Sequence, residues 1–365
     1  MMASRRLGTV LLMGRNRSGL LGPGVTSCAL AATLFGASTP AASVLARDVP
    51  PLVLAGLLYL GAAAGVAPWF LRIRPRREAL RQGAPMIAVA IVAGGVFGPA
   101  FLVAGLVDTP ASTASLLLNS ELVFTVVVAA TIFREHLGPR MIVAALLVAV
   151  ATSLLVWQPG DPFGWRGLLI VGACVCWAID NGATARIDQV SPHHVTFVKG
   201  AVAGSVNLVL GLVVSGAAEL DVSSAVWALV VGAAGYGASI TLWVRGAQQL
   251  GAARAQVIFA TGPFVGAALS WALLGDTLRP VHLIATVMAA IGVGVSLGSA
   301  HGHAHRHVET VHDHRHRHDD GHHDHAGDDA RAHDTAIEHS HVHRHHADLH
   351  DHAHVPDLHH QHRDG

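Results

Sequence analysis

Charge is scarce in this chain: only 13% of its 365 residues are Asp, Glu, Lys or Arg, about half the share of an ordinary soluble domain. With 52% hydrophobic residues, a water-soluble core could not bury the apolar surface. Long stretches such as Met141–Trp157 carry no charge at all, and these are expected to face lipid. Lysine is reduced to one residue, Lys199. The three cysteines, Cys28, Cys174 and Cys176, fall in apolar segments. Cys174 and Cys176 would point to different sides of a helix, which argues for packing rather than a redox or metal pair. No phosphate-loop pattern ending in Lys-Ser or Lys-Thr is present, so any transport would be passive or ion-coupled rather than driven by ATP on this chain. Nucleophile-elbow and zincin patterns are missing too, and an enzyme is not expected.

What the chain has instead is a series of apolar runs of spanning length. Ten can be marked, at about 24–46, 51–71, 84–106, 110–133, 141–157, 166–185, 193–216, 224–244, 254–274 and 281–299. They are apolar throughout rather than alternating with a period of two, so they read as helices and not barrel strands. Arg5, Arg6, Arg15 and Arg17 before the first run, with Val44-Leu45-Ala46 at its end, resemble a cleavable signal. Retention is expected, because 24–46 is long enough to span and its counterpart in the second half reads as a retained helix.

Basic residues test this list, since cytoplasmic connections are enriched in them. With the N-terminus inside, the inner connections carry Arg5, Arg6, Arg15, Arg17, Arg72, Arg74, Arg76, Arg77, Arg81, Arg134, Arg140, Arg186, Arg245 and Arg254. The outer ones carry only Arg47, Arg166 and Arg279. Fourteen against three places both termini in the cytoplasm of a multi-pass protein of the cell (inner) membrane.

The chain also repeats itself. Glu135-His136-Leu137-Gly138-Pro139 matches Asp276-Thr277-Leu278-Arg279-Pro280 at an offset of 141 residues, and Phe35-Gly36-Ala37-Ser38 lines up with Trp177-Ala178-Ile179-Asp180 at nearly the same offset. Each repeat then holds five helices, and an odd number inverts the second copy relative to the first. The fold class expected is an all-α membrane protein of ten transmembrane helices, arranged as two inverted five-helix repeats, plus a disordered C-terminal tail. Its parts are a cytoplasmic N-terminal segment (1–23), repeats at 24–157 and 166–299, and the tail at 301–365.

The segment Leu116-Leu117-Leu118-Asn119-Ser120-Glu121-Leu122-Val123-Phe124-Thr125, followed by Phe133-Arg134-Glu135-His136-Leu137, resembles the fourth helix of EamA-type members of the drug/metabolite transporter superfamily. Cys176-Trp177-Ala178-Ile179-Asp180-Asn181 and Lys199-Gly200 are similar to the sixth and seventh helices of one branch of it. The resemblance covers about residues 24–299. It implies a 5+5 inverted-repeat fold and movement of small organic solutes, without naming the solute.

Ionisable side chains inside a bilayer need a partner, a wet cavity or neutralisation. Glu121 lies near the middle of the fourth run, with Thr113, Leu117 and Thr125 on its face and Ser112, Ser115 and Asn119 on a second polar stripe. It reads either as a proton-accepting group on the solute path or as a structural anchor to a neighbouring helix. Asp180 and Asn181 stand toward the cytoplasmic end of the sixth run, where Asp180 could pair with Lys199 in the seventh. The alternative is an interfacial position with Lys199 snorkelling. Asn207 extends that polar face inward. Gly262-Pro263 interrupts the ninth run, as Gly94, Gly95, Gly98 and Pro99 do the third; such breaks line a cavity or pack helices closely through small residues. The transport-path candidates are therefore Asn119, Glu121, Asp180, Asn181, Lys199, Asn207, Gly262 and Pro263.

From His301 onward the composition changes to 23 histidines, mostly as His-x-His, mixed with aspartate, glycine and alanine. Too few apolar residues remain to bury a core, and neutral imidazoles suit zinc, nickel or cobalt. The candidate ligands are His301, His303, His305, His307, His312, His314, His316, His318, His322, His323, His325, His339, His341, His343, His345 and His346. The tail reads as a metal buffer or sensor, as a funnel for a transported metal, or as low-complexity sequence. No apolar run contains a central histidine, so an organic solute ranks above a divalent transition metal as cargo, which remains the alternative. No cofactor is required. The partners expected are the lipid bilayer, a small solute and divalent transition metals at the tail, with no nucleic acid; a homodimer is left open.

The charge asymmetry makes a direct prediction. Reporter fusions after Gly160 and Ala218 should report the periplasm, and fusions after Gly138, Gln189 and Ala300 the cytoplasm. A cytoplasmic signal after Ala218 would break the ten-span arrangement.

Overall fold

The computed structural model describes residues 22–72, 77–132, 139–156, 165–187, 190–216, 221–250, 252–297 and, in the tail, 301–306, 310–316, 339–345 and 349–354. From 22 to 297 the regular elements are helical. In order they are α1 (Pro23–Leu45), α2 (Pro51–Arg72), α3 (Arg77–Val89), a first π segment (Ala90–Phe97), α4 (Gly98–Leu106), α5 (Ala111–Leu117), α6 (Ser120–Thr131), α7 (Pro139–Val156) and α8 (Trp165–Thr184). There follow α9 (Pro192–Ser215), α10 (Val222–Val231), a second π segment (Gly232–Ala238), α11 (Ser239–Leu250), α12 (Ala252–Phe259), α13 (Gly262–Leu273) and α14 (Pro280–Leu297).

Proline sets many of the starts. Pro23, Pro51, Pro139, Pro192 and Pro280 each open a helix, where the missing N–H is an orphan in any case and the fixed φ is already helical. Asp221 starts α10 differently, accepting from the Ser224 N–H at 2.9 Å and its hydroxyl at 3.2 Å. Those bonds, the backbone one first, hold the Asp221 carboxyl below its usual range.

Eight helical stretches among the described residues are long and apolar enough to cross a membrane. The expected segments at 141–157 and 281–299 correspond to two shorter apolar helices, Pro139–Leu155 and Pro280–Val295. Bulky apolar residues, among them Val209, Val213 and Val214 on α9 and Val222, Val226 and Trp227 on α10, stand exposed on the outside of the bundle. Such a surface needs lipid rather than water around it.

Irregularities recur at a fixed spacing. The π segments start 142 residues apart, the α5/α6 interruption at Leu118-Asn119 has its partner at Ala260-Thr261 between α12 and α13, and α7 and α14 begin 141 residues apart. In the first π segment the Gly98 N–H bonds Ala93 O, five residues back instead of four. That leaves Gly94 O without its helical donor. Pro99 has no N–H to give Gly95 O, so two successive carbonyls are released.

Glycine lets the helices approach. Along α9, Gly200 meets Tyr59 and Ala63, Gly204 meets Gly56 and Leu60, and Gly211 meets Leu52 and Val53. The order falls along α2 as it rises along α9, so the two helices cross antiparallel. At a second crossing a Cβ on Gly36 of α1 would collide with the Gly262 carbonyl, and one on Gly262 with the Ala32 carbonyl. The core continues outward from there through Cys28, Ala31, Ala32 and Phe35 of α1. On one side of the bundle α5 is tied to α14 and the connection before it: the Ser112 N–H donates to Asp276 Oδ2 at 2.8 Å, and Thr113 Oγ1 lies 3.2 Å from His282 Nε2 in the first turn of α14. Glu135, which the repeat pairs with Asp276, lies with residues 133–138 outside the described residues.

In the tail, β1 (His301–Arg306) pairs antiparallel with β4 (Leu349–His354), and β2 (Thr310–His316) with β3 (His339–His345). These short pairs differ from the unstructured tail expected from composition. The His-x-His alternation has the period of two that a strand requires. Residues 1–21 of the N-terminal segment and the candidate ligands His307, His318, His322, His323, His325 and His346 lie outside the described residues.

Candidate functional site

The two carbonyls released in the first π segment organise the centre of the bundle. Gly94 O accepts from the Tyr59 hydroxyl at 2.6 Å and from Trp177 Nε1 at 3.0 Å. Asn207 Nδ2 supplies Gly95 O at 3.1 Å and reaches Val96 O at 3.3 Å. Tyr59 on α2 and Trp177 on α8 are thereby fixed as two walls of a cavity. Phe35 (α1), Tyr236 (second π segment), Trp243 (α11) and Phe259 (α12) complete its aromatic lining. Phe35 is the hub, with ring centroids 5.7 Å from Trp177, 5.7 Å from Tyr236 and 5.3 Å from Phe259. The space they bound is about 550 Å³ including its open part.

Two polar groups share this cavity. Asp180 near the end of α8 forms a salt bridge with Lys199 of α9, and Thr184 Oγ1 donates to Asp180 Oδ1 at 2.9 Å. Both charged residues are 4% exposed, so the pair is buried and neither head reaches the surface of the chain. Gly94 makes room for it, since a Cβ there would fall on the Asp180 carboxylate. In the second group Asn181 Nδ2 donates to Glu121 Oε1 at 2.7 Å and stands 3.1 Å from Gln256 Oε1 and 3.5 Å from Thr125 Oγ1. Glu121 lies in the first turn of α6, just after the helix interruption, where the helix N-terminus favours negative charge.

Glu121, Asp180, Asn181 and Lys199 thus come together on one cavity. The other four sequence candidates do not reach its wall. Asn207 is fully buried against Gly95 O and Val96 O, replacing the donor that Pro99 lacks. Asn119 sits in the interruption itself, with Nδ2 on Leu116 O at 3.2 Å. Gly262 and Pro263 are buried at the α1 crossing, where the smallness of Gly262 serves helix approach. The polar face running from Thr113 to Thr125 is also divided by the interruption: Thr113 turns to His282 and Thr125 to Asn181. Sequence reasoning missed Gln256 and the aromatic walls. Phe35 and Trp177 could have been found, because the internal repeat aligns them. Among the described residues no three His, Cys, Asp or Glu side chains are grouped to hold a metal ion.

The buried pair makes a testable case. Lys199→Met strands the Asp180 carboxylate and should destabilise the protein by about 3–5 kcal/mol, whereas the double variant Asp180→Asn/Lys199→Met should recover most of that loss. Thermal unfolding in detergent measures the cycle. Additive losses would show that the two residues do not act as a pair.

Comparison with known proteins now adds to this geometry. Residues 22–157 and again 165–298 match the EamA-like transporter family. A protein of Methanothermobacter thermautotrophicus (strain Delta H) named as an uncharacterized transporter is 23% identical over 292 residues, covering 74% of this chain and 84% of its own. A solved crystal structure of a protein 21% identical superposes with a TM-score of 0.59, covering 74% of this chain and 96% of its own, which shows a shared fold. With most of its length matched in two successive stretches, this multi-pass membrane protein belongs to the EamA-like transporter family.

Proposed function

We propose that the protein is a secondary transporter carrying a small organic metabolite or amphiphile across the cell membrane through the cavity around Glu121, Asn181, Asp180 and Lys199. The observation that carries this reading is the cavity's position: residues of α1, α2 and α6 from the first family-matched stretch and of α8, α9, the second π segment, α11 and α12 from the second line it together. Transporters built from two halves bind their solutes at such an interface. Ten spans in two inverted halves, 24–157 and 166–299, belong to the same proposal. The 141- and 142-residue spacing of helix starts and interruptions supports it, as does the antiparallel crossing of α2 with α9, its counterpart at that spacing. Cytoplasmic termini are part of the same proposal, supported by the surplus of arginine on one side.

Glu121 is the proposed proton carrier. Its carboxylate is buried, faces the cavity and is held by the Asn181 amide rather than by a cation. Glu121→Gln keeps shape and hydrogen-bonding capacity, so the variant should fold and insert, but its transport should lose dependence on the pH gradient. Solute profiles of cells producing wild type, variant or neither, taken at two external pH values, measure this. An unchanged pH profile in the variant would make Glu121 an anchor.

The tail is proposed to bind zinc, nickel or cobalt in the cytoplasm. Its strand register puts His301, His303 and His305 opposite His354, His352 and His350, and His312, His314 and His316 opposite His343, His341 and His339. Deleting residues 301–365 should lower the metal bound by purified protein from several ions per chain to about one or none, with solute movement retained. Cellular metal content that still follows the truncated protein would make the metal the cargo.

A further inference from the structure

We propose that the cavity selects flat, neutral solutes that present a hydrogen-bond acceptor, and that Tyr236 and Trp243 are the residues that receive it. The inference rests on the cavity being the solute site and specifies its chemistry. Most polar groups on the wall are already engaged. Lys199 is paired with Asp180, Asn181 donates to Glu121, Ser239 Oγ donates to Ala31 O at 2.9 Å, and Tyr59 and Trp177 both serve Gly94 O. Two buried polar atoms on the wall have no hydrogen-bond partner among the described residues: the Tyr236 hydroxyl and Trp243 Nε1. Their residues are 1% and 5% exposed.

A buried donor without an acceptor is costly, and an indole N–H can only donate. Trp243 Nε1 therefore calls for an acceptor from outside the chain, and the Tyr236 hydroxyl is free to donate to one as well. Trp243 follows Tyr236 by seven residues, about two helical turns, so both lie on one face of the helix that continues from the second π segment. A carbonyl oxygen or ring nitrogen fits such neutral donors. An anion would share the wall with two carboxylates against one ammonium, and a cation would leave both donors unmet. The body of the solute meets the rings of Phe35, Trp177 and Phe259, which line the same cavity and favour a flat, aromatic partner in stacked or edge-on contact.

Isothermal titration of the full-length protein in nanodiscs tests this with four probes. They are indole-3-carboxamide (flat, with a carbonyl), indole (flat, without one), cyclohexanecarboxamide (a carbonyl without a flat ring) and phenyltrimethylammonium (a flat cation). The carboxamide of indole should bind at least about tenfold more tightly than each of the others. Tyr236→Phe and Trp243→Phe each remove one donor and keep a ring. Each should weaken that binding about three- to tenfold without lowering the melting temperature of the unliganded protein, an outcome that a merely structural role would not give. Absence of binding by the indole carboxamide, equal or tighter binding of the cation, or unchanged affinity in both variants would overturn the proposal. Proteoliposome counterflow with the same carboxamide separates this from the transport reading. Donor-dependent binding without uptake would sink transport and leave the receptor assignment standing, whereas uptake that ignores both substitutions would do the reverse.

Discussion

A backbone surrounded by lipid must satisfy its own hydrogen bonds, and the centre of this protein follows from one place where a helix fails to do so. The first π segment and Pro99 release the carbonyls of Gly94 and Gly95. Three side chains from three other helices answer them: Tyr59 from α2, Trp177 from α8 and Asn207 from α9. The defect thus ties four helical stretches together. It also fixes two aromatic walls of the cavity, because a ring whose polar atom is bonded to backbone cannot turn freely.

The same glycines set the electrostatics. Gly94 has no side chain, and the Asp180 carboxylate occupies the space a Cβ would take. Lys199 follows it inward from the neighbouring helix. A buried ion pair of this kind contributes little net stability, because desolvation offsets the attraction. Its effect is to keep two charges beside an apolar cavity at a fixed place, where removing either one would leave the other uncompensated.

Much of this could be read before any coordinates. Ionisable residues stand out in apolar runs, so Glu121, Asp180 and Lys199 announced themselves, and the long apolar runs marked the membrane helices. Asn207 and Gly262 looked like members of the same polar path because sequence shows the residue but not what crosses it. Asn207 answers a carbonyl on another helix, more than a hundred positions away, and Gly262 faces the backbone of α1. Gln256 was passed over for the converse reason: a neutral amide in the middle of a short helix carries no signal until Asn181 is found beside it. The aromatic walls were hidden by their ordinariness, since a ring in a membrane helix usually packs against lipid or its neighbours.

The chain contains two tyrosines, and both stand on this cavity with ring centroids 5.6 Å apart. Its one lysine stands there as well. A sample carrying isotopically labelled tyrosine would therefore give a magnetic-resonance spectrum of two residues, both at the cavity, with no assignment of the remaining chain required. Labelled lysine would add a single ammonium, the one paired with Asp180. The scarcity that marks the composition thus makes the protein its own site-specific probe, in which the centre of the bundle can be watched in lipid without an engineered label.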